Sequence, residues 1–199
     1  LLEAMQEKQV TVDGITHSLP DPFMVFATQN PIEYEGTFRL PEAQLDRFLL
    51  RINLGYPETE NEIDILDRQQ FGHPLIELAT IVTTTDVQAA QHAIQSVHIA
   101  PEVKRYIVEI ASRTRQHPEV YLGASPRGSL ALYRASQALA ALRGRDYVIP
   151  DDIKILAVPA LSHRIILGPG ARLKNLTADD IVQSVISELL VPGGDPKAR

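Results

Sequence analysis

Leu40-Pro41-Glu42-Ala43-Gln44-Leu45-Asp46-Arg47-Phe48 is the stretch on which the reading of the fold turns. Pro41 stands at the first helical position, where a missing N–H costs nothing, and residues 42–46 predict one short helix. The apolar run Phe48-Leu49-Leu50-Arg51-Ile52-Asn53-Leu54 follows at once and stops at Gly55-Tyr56-Pro57. Upstream, Phe23-Met24-Val25-Phe26-Ala27-Thr28 is a second short apolar run, closed by the turn residues Gln29-Asn30-Pro31. Short runs of this kind predict strands covered on both faces, as in a parallel sheet. The polar, glycine-containing residues 32–40 predict a loop between the two strands. Strand, loop, helix and strand together read as the tail of a parallel α/β sheet. Two strands make no stable sheet alone, so further strands are expected before Leu1.

The start of the chain points the same way. Leu1-Leu2-Glu3-Ala4-Met5-Gln6-Glu7-Lys8 consists of strong helix formers with no capping residue before them. The chain is therefore expected to be a fragment that begins inside a helix. Next, the β-prone residues 10–12 and 15–16 flank Asp13-Gly14, a hairpin signal.

Beyond residue 57 the texture becomes helical. Residues 60–70 and 86–97 read as helices, and residues 75–82 as extended. Val103, Ile107, Ile110 and Thr114 form one apolar stripe. Leu132, Ser136, Leu139 and Leu142 form a second, and Ile153, Leu156, Ala157, Ala160 and Leu161 a third. A last helix is capped by Thr177, with Asp179 and Asp180 in its first turn and Ile181, Val185 and Leu189 along its buried face. The boundary falls at Gly55-Tyr56-Pro57. It divides residues 1–56, the end of an α/β domain, from residues 57–199, a helical domain.

Composition narrows the function classes. The 199 residues carry 19 Lys and Arg against 25 Asp and Glu, a net charge of −6, and the basic residues are scattered. A nucleic-acid binder shows a basic patch or stripe instead. There is no cysteine, which removes disulfides and thiolate metal sites and fits a reducing cytoplasmic compartment. The six histidines show no metal-ligand spacing. No GxSxG elbow is present, no GxxxxGK[ST] phosphate loop, and no apolar strand that ends in paired acids able to hold Mg²⁺.

Three polar residues stand out. Asn30 follows the carboxyl end of an expected strand, where ligands bind in open α/β sheets; its amide could orient a water or meet a phosphate, or it could simply start a turn. Arg47 ends the short helix, with a fork suited to phosphate oxygens. It could equally meet the helix dipole or pair with Asp46. Arg127 lies in Gly123-Ala124-Ser125-Pro126-Arg127-Gly128-Ser129, where Ser125 reads as an N-cap and Pro126 as the first helical residue. A cation in a first turn opposes the helix dipole. It makes better sense if an anion sits opposite, at a helix end that is itself an anion site; a solvent-facing arginine is the alternative, since the penalty is small.

Taken together these pieces resemble the MoxR group of AAA+ ATPases. The resemblance is carried by residues 1–6, the hairpin at 10–16, Ala27-Thr28-Gln29-Asn30-Pro31, the stretch from Leu40 to Phe48, and Gly123-Ala124-Ser125-Pro126-Arg127. It covers essentially the whole chain. The resemblance implies a fold: the tail of a P-loop AAA+ parallel sheet with a β-hairpin, then a mainly α-helical lid. It also implies roles. Asn30 would be sensor 1, touching the γ-phosphate or the attacking water. Arg47 would be an arginine finger acting on a neighbouring subunit, and Arg127 would be sensor 2, reaching from the lid to its own subunit's phosphate. ATP and Mg²⁺ would be held mainly by residues upstream of this chain. The implied protein is a homo-oligomer, a hexameric ring, that remodels or matures a client protein, in some members one with a von Willebrand-type domain. The fragment alone is expected to be inactive. Two other readings stand beside this one: a non-catalytic protein-interaction module, which draws on the absent phosphate loop, and a chelatase-type or DNA-acting motor of the same hairpin-bearing clade.

Overall fold

The computed structural model describes residues 2–29, 41–70, 75 and 78–193. A short helix α1 (Leu2–Glu7) leads into a hairpin of β1 (Gln9–Val12) and β2 (Ile15–Ser18), in which Val12 faces Ile15. Asp13 (φ 51°) and Gly14 (φ 79°) both take the left-handed conformation that a two-residue hairpin of matching twist requires. The Glu3 carboxylate clamps helix to hairpin, accepting from Thr11 N at 3.2 Å and Thr11 Oγ1 at 2.6 Å.

The remainder is helical: α2 (Glu42–Leu45), α3 (Thr59–Gln69), α4 (Thr84–Gln95), α5 (Pro101–Gln116), α6 (Pro126–Leu142), α7 (Pro150–Leu161), α8 (Pro169–Leu173) and α9 (Ala178–Glu188). A 3₁₀ turn (Ser162–Arg164) follows α7, and β3 (Val120–Leu122) pairs antiparallel with β4 (Ile166–Leu167). The core sits among α5, α6, α7 and α9. Val103, Ile107, Ile110 and Thr114 are all buried, as their spacing predicts, and so are Ile153, Ala157, Ala160 and Leu161. Ile181, Val185 and Leu189 bury the inner face of α9, whose cap is Thr177: its hydroxyl accepts from Asp180 N at 3.2 Å. The α6 stripe holds at Leu132 and Ser136 but fails at Leu142, which is exposed. Leu142 is the last helical residue. The chain then reverses through left-handed Gly144, with Arg145 N donating to Ala140 O at 2.9 Å and Gly144 N to Ala141 O at 2.9 Å.

One expectation needs correction. Residues 23–28 and 48–54 form no strand and belong to no sheet among the described residues, and Phe48 and Leu49 lie in a bend. Several of their apolar side chains are uncovered, Phe26 being 87% and Leu54 95% exposed, while Phe23, Val25, Phe48 and Leu50 are half-buried. A strand is defined by its ladder partner, and no described segment runs alongside either stretch. Asn30, the expected first phosphate contact, and the expected loop at 32–40 lie outside the described residues.

Residues 46–51 nevertheless hold a fixed position, because the end of α7 supplies what a neighbouring strand would. The last carbonyls of any helix lack intrahelical donors. Pro159 O accepts from Arg51 N at 2.9 Å, and Ala160 O accepts from the Arg164 guanidinium. Leu50 packs against the helical core from the same stretch.

Candidate functional site

The site grows from the first turn of α6. Thr114 Oγ1 accepts from Ala124 N at 3.0 Å, and Arg115 Nε donates to Ala124 O at 2.7 Å, so α5 fixes the loop before the helix. Gly123 presses against α5: a Cβ there would stand 2.6 Å from Arg115 Cα. Ser125 caps α6, its hydroxyl accepting from Arg127 N at 3.2 Å, and Pro126 is the first helical residue. Arg127 thus sits in the first turn, as the sequence predicts.

Opposite it lies Asp46. Arg127 Nη1 is 3.4 Å from Asp46 Oδ2, and the Ser125 hydroxyl is 3.3 Å from both carboxylate oxygens, donating to one of them. A second cationic group completes the cluster. Arg164 Nε lies 3.2 Å from Asp46 Oδ1 as an ion pair whose N–H is not aligned for a hydrogen bond. Arg164 Nη2 donates to Phe48 O at 2.6 Å and to Asp46 O at 3.2 Å. The Arg164 side chain is only 3% exposed. Burial pushes its guanidinium down from the ordinary arginine value, and the Asp46 charge opposes that shift.

Next to Arg164, His163 is also buried. Arg164 Nη1 lies 2.8 Å from His163 Nε2. Phe48 O lies 3.1 Å from the same nitrogen; a guanidinium can only donate and a carbonyl only accept, so Nε2 accepts from Arg164 in one tautomer and donates to Phe48 O in the other. Burial first, and the Arg164 charge second, lower the His163 pKa to about 4.

Arg47 stands apart from this cluster. Its Nη1 donates to Ala43 O in its own short helix, and its Nε is buried with no hydrogen-bond partner among the described residues. Asp46, offered by the sequence as a local partner for Arg47, gives its carboxylate to Arg127 and Arg164 instead. The structure therefore brings Arg127 to the residue before Arg47, while Asn30 is outside the described residues. Sequence reasoning missed Asp46 and Arg164 as site members. The signal for Asp46 was present, because it shares the Leu-Asp-Arg-Phe stretch with Arg47. Arg164 gave none. Among the described residues no group of three or more His, Cys, Asp or Glu could hold a metal ion, and no helix is long and apolar enough to cross a membrane.

Comparison with known proteins agrees with this architecture. Residues 1–50 match the family described as ATPase family associated with various cellular activities (AAA), and residues 112–185 match the AAA lid domain. YeaC of Bacillus subtilis (strain 168), an uncharacterized protein, is 52% identical over 96% of this chain and 60% of its own length. The chaperone MoxR1 of Mycobacterium tuberculosis is 38% identical over 96% of this chain and 53% of its own. A crystal structure from Cytophaga hutchinsonii superposes with a TM-score of 0.87 at 37% identity, over 96% of this chain and 60% of that one. The chain thus spans 60% and 53% of the length of these two curated relatives. Its fold is the tail of an AAA α/β domain followed by a helical lid. On these matches the chain belongs to the AAA+ ATPases, within their MoxR group.

Proposed function

We propose that the whole protein carrying this chain binds and hydrolyses ATP at the subunit interfaces of a hexameric ring, and that lid movement couples turnover to the remodelling of a client protein in the cytoplasm. In this reading residues 1–56 close the nucleotide-binding α/β domain and residues 57–199 form the lid. The observation that carries the proposal is Arg127. It is a half-exposed cation placed against a helix dipole, at a capped N-terminus, beside the residue that precedes Arg47. A phosphate at that helix end would meet both the backbone N–H groups and the guanidinium.

Arg127 then acts as sensor 2 on its own subunit's nucleotide. Arg47 acts in trans as the finger that stabilises charge on the transferring phosphoryl group, a contribution on the order of 10³–10⁵ in rate where such fingers operate. Asn30 acts as sensor 1. The described residues offer Mg²⁺ no donor set of their own; the ion, held by residues outside this chain, would neutralise the phosphate oxygens. The client, a partner protein of the kind that carries a von Willebrand-type domain, is reached through the lid.

ATP turnover by the whole protein tests the proposal. Arg47→Ala is expected to abolish turnover while nucleotide binding survives, and mixing it with a phosphate-loop variant is expected to restore part of the activity. Unchanged turnover in Arg47→Ala overturns the finger assignment. The purified 199-residue chain is expected to be inactive.

A further inference from the structure

We infer that Asp46 is a positioning residue: its carboxylate is the resident counter-ion of Arg127 and gives that arginine up to phosphate oxygens when a nucleotide enters. The inference rests on the ATPase reading above and deepens it at the same site.

The charge balance comes first. One carboxylate faces two guanidinium groups, with Arg127 Nη1 at 3.4 Å and Arg164 Nε at 3.2 Å. Arg47, the next residue along, stands outside the cluster and brings it no negative charge, its Nη1 meeting a backbone carbonyl, Ala43 O. The cluster is short of negative charge, so it can accept an anion without expelling Asp46.

The grip of the two arginines is unequal. Arg164 is almost wholly buried and donates to backbone oxygens of Asp46, Phe48 and Ala160. It stays whatever happens at the carboxylate. Arg127 is 45% exposed, and its single ion-pair contact to Asp46 is long. Such pairs are worth little and exchange readily.

The helix end decides the direction of exchange. In the structure Arg127 is a cation at the positive end of α6, an unfavourable place that Asp46 makes tolerable. A phosphate reaching the same end meets a favourable dipole and takes over Arg127. Asp46 keeps Arg164 and the Ser125 hydroxyl, which lies 3.3 Å from it. The carboxylate therefore competes with nucleotide for Arg127, while its hold on Arg164 keeps the Arg47 segment on the lid.

The test is the affinity of the whole protein for a non-hydrolysed ATP analogue. Asp46→Asn is expected to tighten binding by about two- to fivefold, the worth of a part-exposed pair. Adding Asp46→Asn to Arg127→Gln is expected to change nothing. Weaker binding in Asp46→Asn overturns the inference, since Asp46 would then present Arg127 to the phosphate. Equal tightening with Arg127 already removed overturns it too. If Asp46→Asn does not fold, the wild-type protein decides: the Arg127 side-chain ¹⁵N signal is expected to shift with saturating analogue while that of buried Arg164 stays in place. An unmoved Arg127 signal contradicts the exchange. Binding that is intact but indifferent to Asp46 sinks this inference alone, whereas no binding in any variant, wild type included, removes the ATPase reading with it.

Discussion

Replacing Asp46 by Asn keeps the shape of the side chain and removes its charge, which leaves the Arg164 guanidinium buried without a counter-ion. Breaking a buried ion pair from one side costs about 3–5 kcal/mol when nothing else satisfies the remaining charge. Here four backbone carbonyls still do, and the asparagine amide oxygen can accept from Ser125 or Arg127. Asp46 is itself 22% exposed, so water partly screens the pair. Those two corrections bring the expected loss to about 2–3 kcal/mol. Arg127→Gln removes only the half-exposed partner and should cost at most about 1 kcal/mol. Urea unfolding of the 199-residue chain, followed by far-ultraviolet circular dichroism, measures both. With a urea slope of about 2 kcal/mol per molar, Asp46→Asn should lower the midpoint by about 1–1.5 M. In a double-mutant cycle the Asp46–Arg164 coupling should exceed the Asp46–Arg127 coupling severalfold. An Asp46→Asn variant within about 0.5 kcal/mol of wild type would show that the carbonyls alone hold Arg164. A larger loss in Arg127→Gln would show that the grip of the two arginines has been ranked the wrong way round.

Three further outcomes follow from close packing and from titration. Gly123→Ala places a methyl 2.6 Å from the Arg115 backbone, where nothing flexible can yield; unfolding should show a loss above about 2 kcal/mol and a shifted Arg127 loop. Gly128→Ala meets the Leu161 Cδ2 methyl at 2.9 Å, and because a side-chain end can move, about 1 kcal/mol is expected. His163 has a folded pKa of about 4 against an ordinary 6.5, so the unfolded chain takes up its proton first as pH falls. Its contribution is intact above about pH 6.5 and is lost between there and about 4. By pH 5 the loss reaches about 2 kcal/mol. A His163→Gln variant whose stability fell as steeply over pH 6.5–5 would assign that loss to other groups.

The helical half was legible because its signals are local. A period of 3.6 residues puts Val103, Ile107 and Ile110 on one face whatever lies far away in the chain, and a Ser-Pro pair caps α6 by itself. The apolar runs at 23–28 and 48–54 carried a different kind of signal. Apolarity says that a segment wants cover on both faces, but cover and ladder both come from neighbours; no described segment supplies the ladder, and the helical core covers only part of the second run, at Leu50. The centre of the site was harder still. Asp46 and Arg164 are 118 residues apart. Each has an ordinary local explanation, one as a helix-terminal acid and the other as a base after a helix. Only the fold puts them together, so the sequence singled out Arg47 and Arg127 as candidates but gave no sign that Asp46 and Arg164 meet beside them.

That pairing bears on how the protein would move. Residues 46–51 lack sheet partners among the described residues, yet Arg164 and Pro159 O occupy the backbone groups of Asp46, Phe48 and Arg51. Arg51 is tied again through its side chain to Asp179 of α9, at 3.4 Å. A lid that swung independently of this segment would have to break those bonds together and expose a buried guanidinium. The lower-cost motion keeps residues 46–51 on the lid and bends the chain elsewhere, so Arg47 and Arg127 travel as one body. In the proposed ring, a lid that closes on its own nucleotide would then also shift the finger it presents to the next subunit. Sequential rather than independent firing of the sites is the behaviour this connection favours.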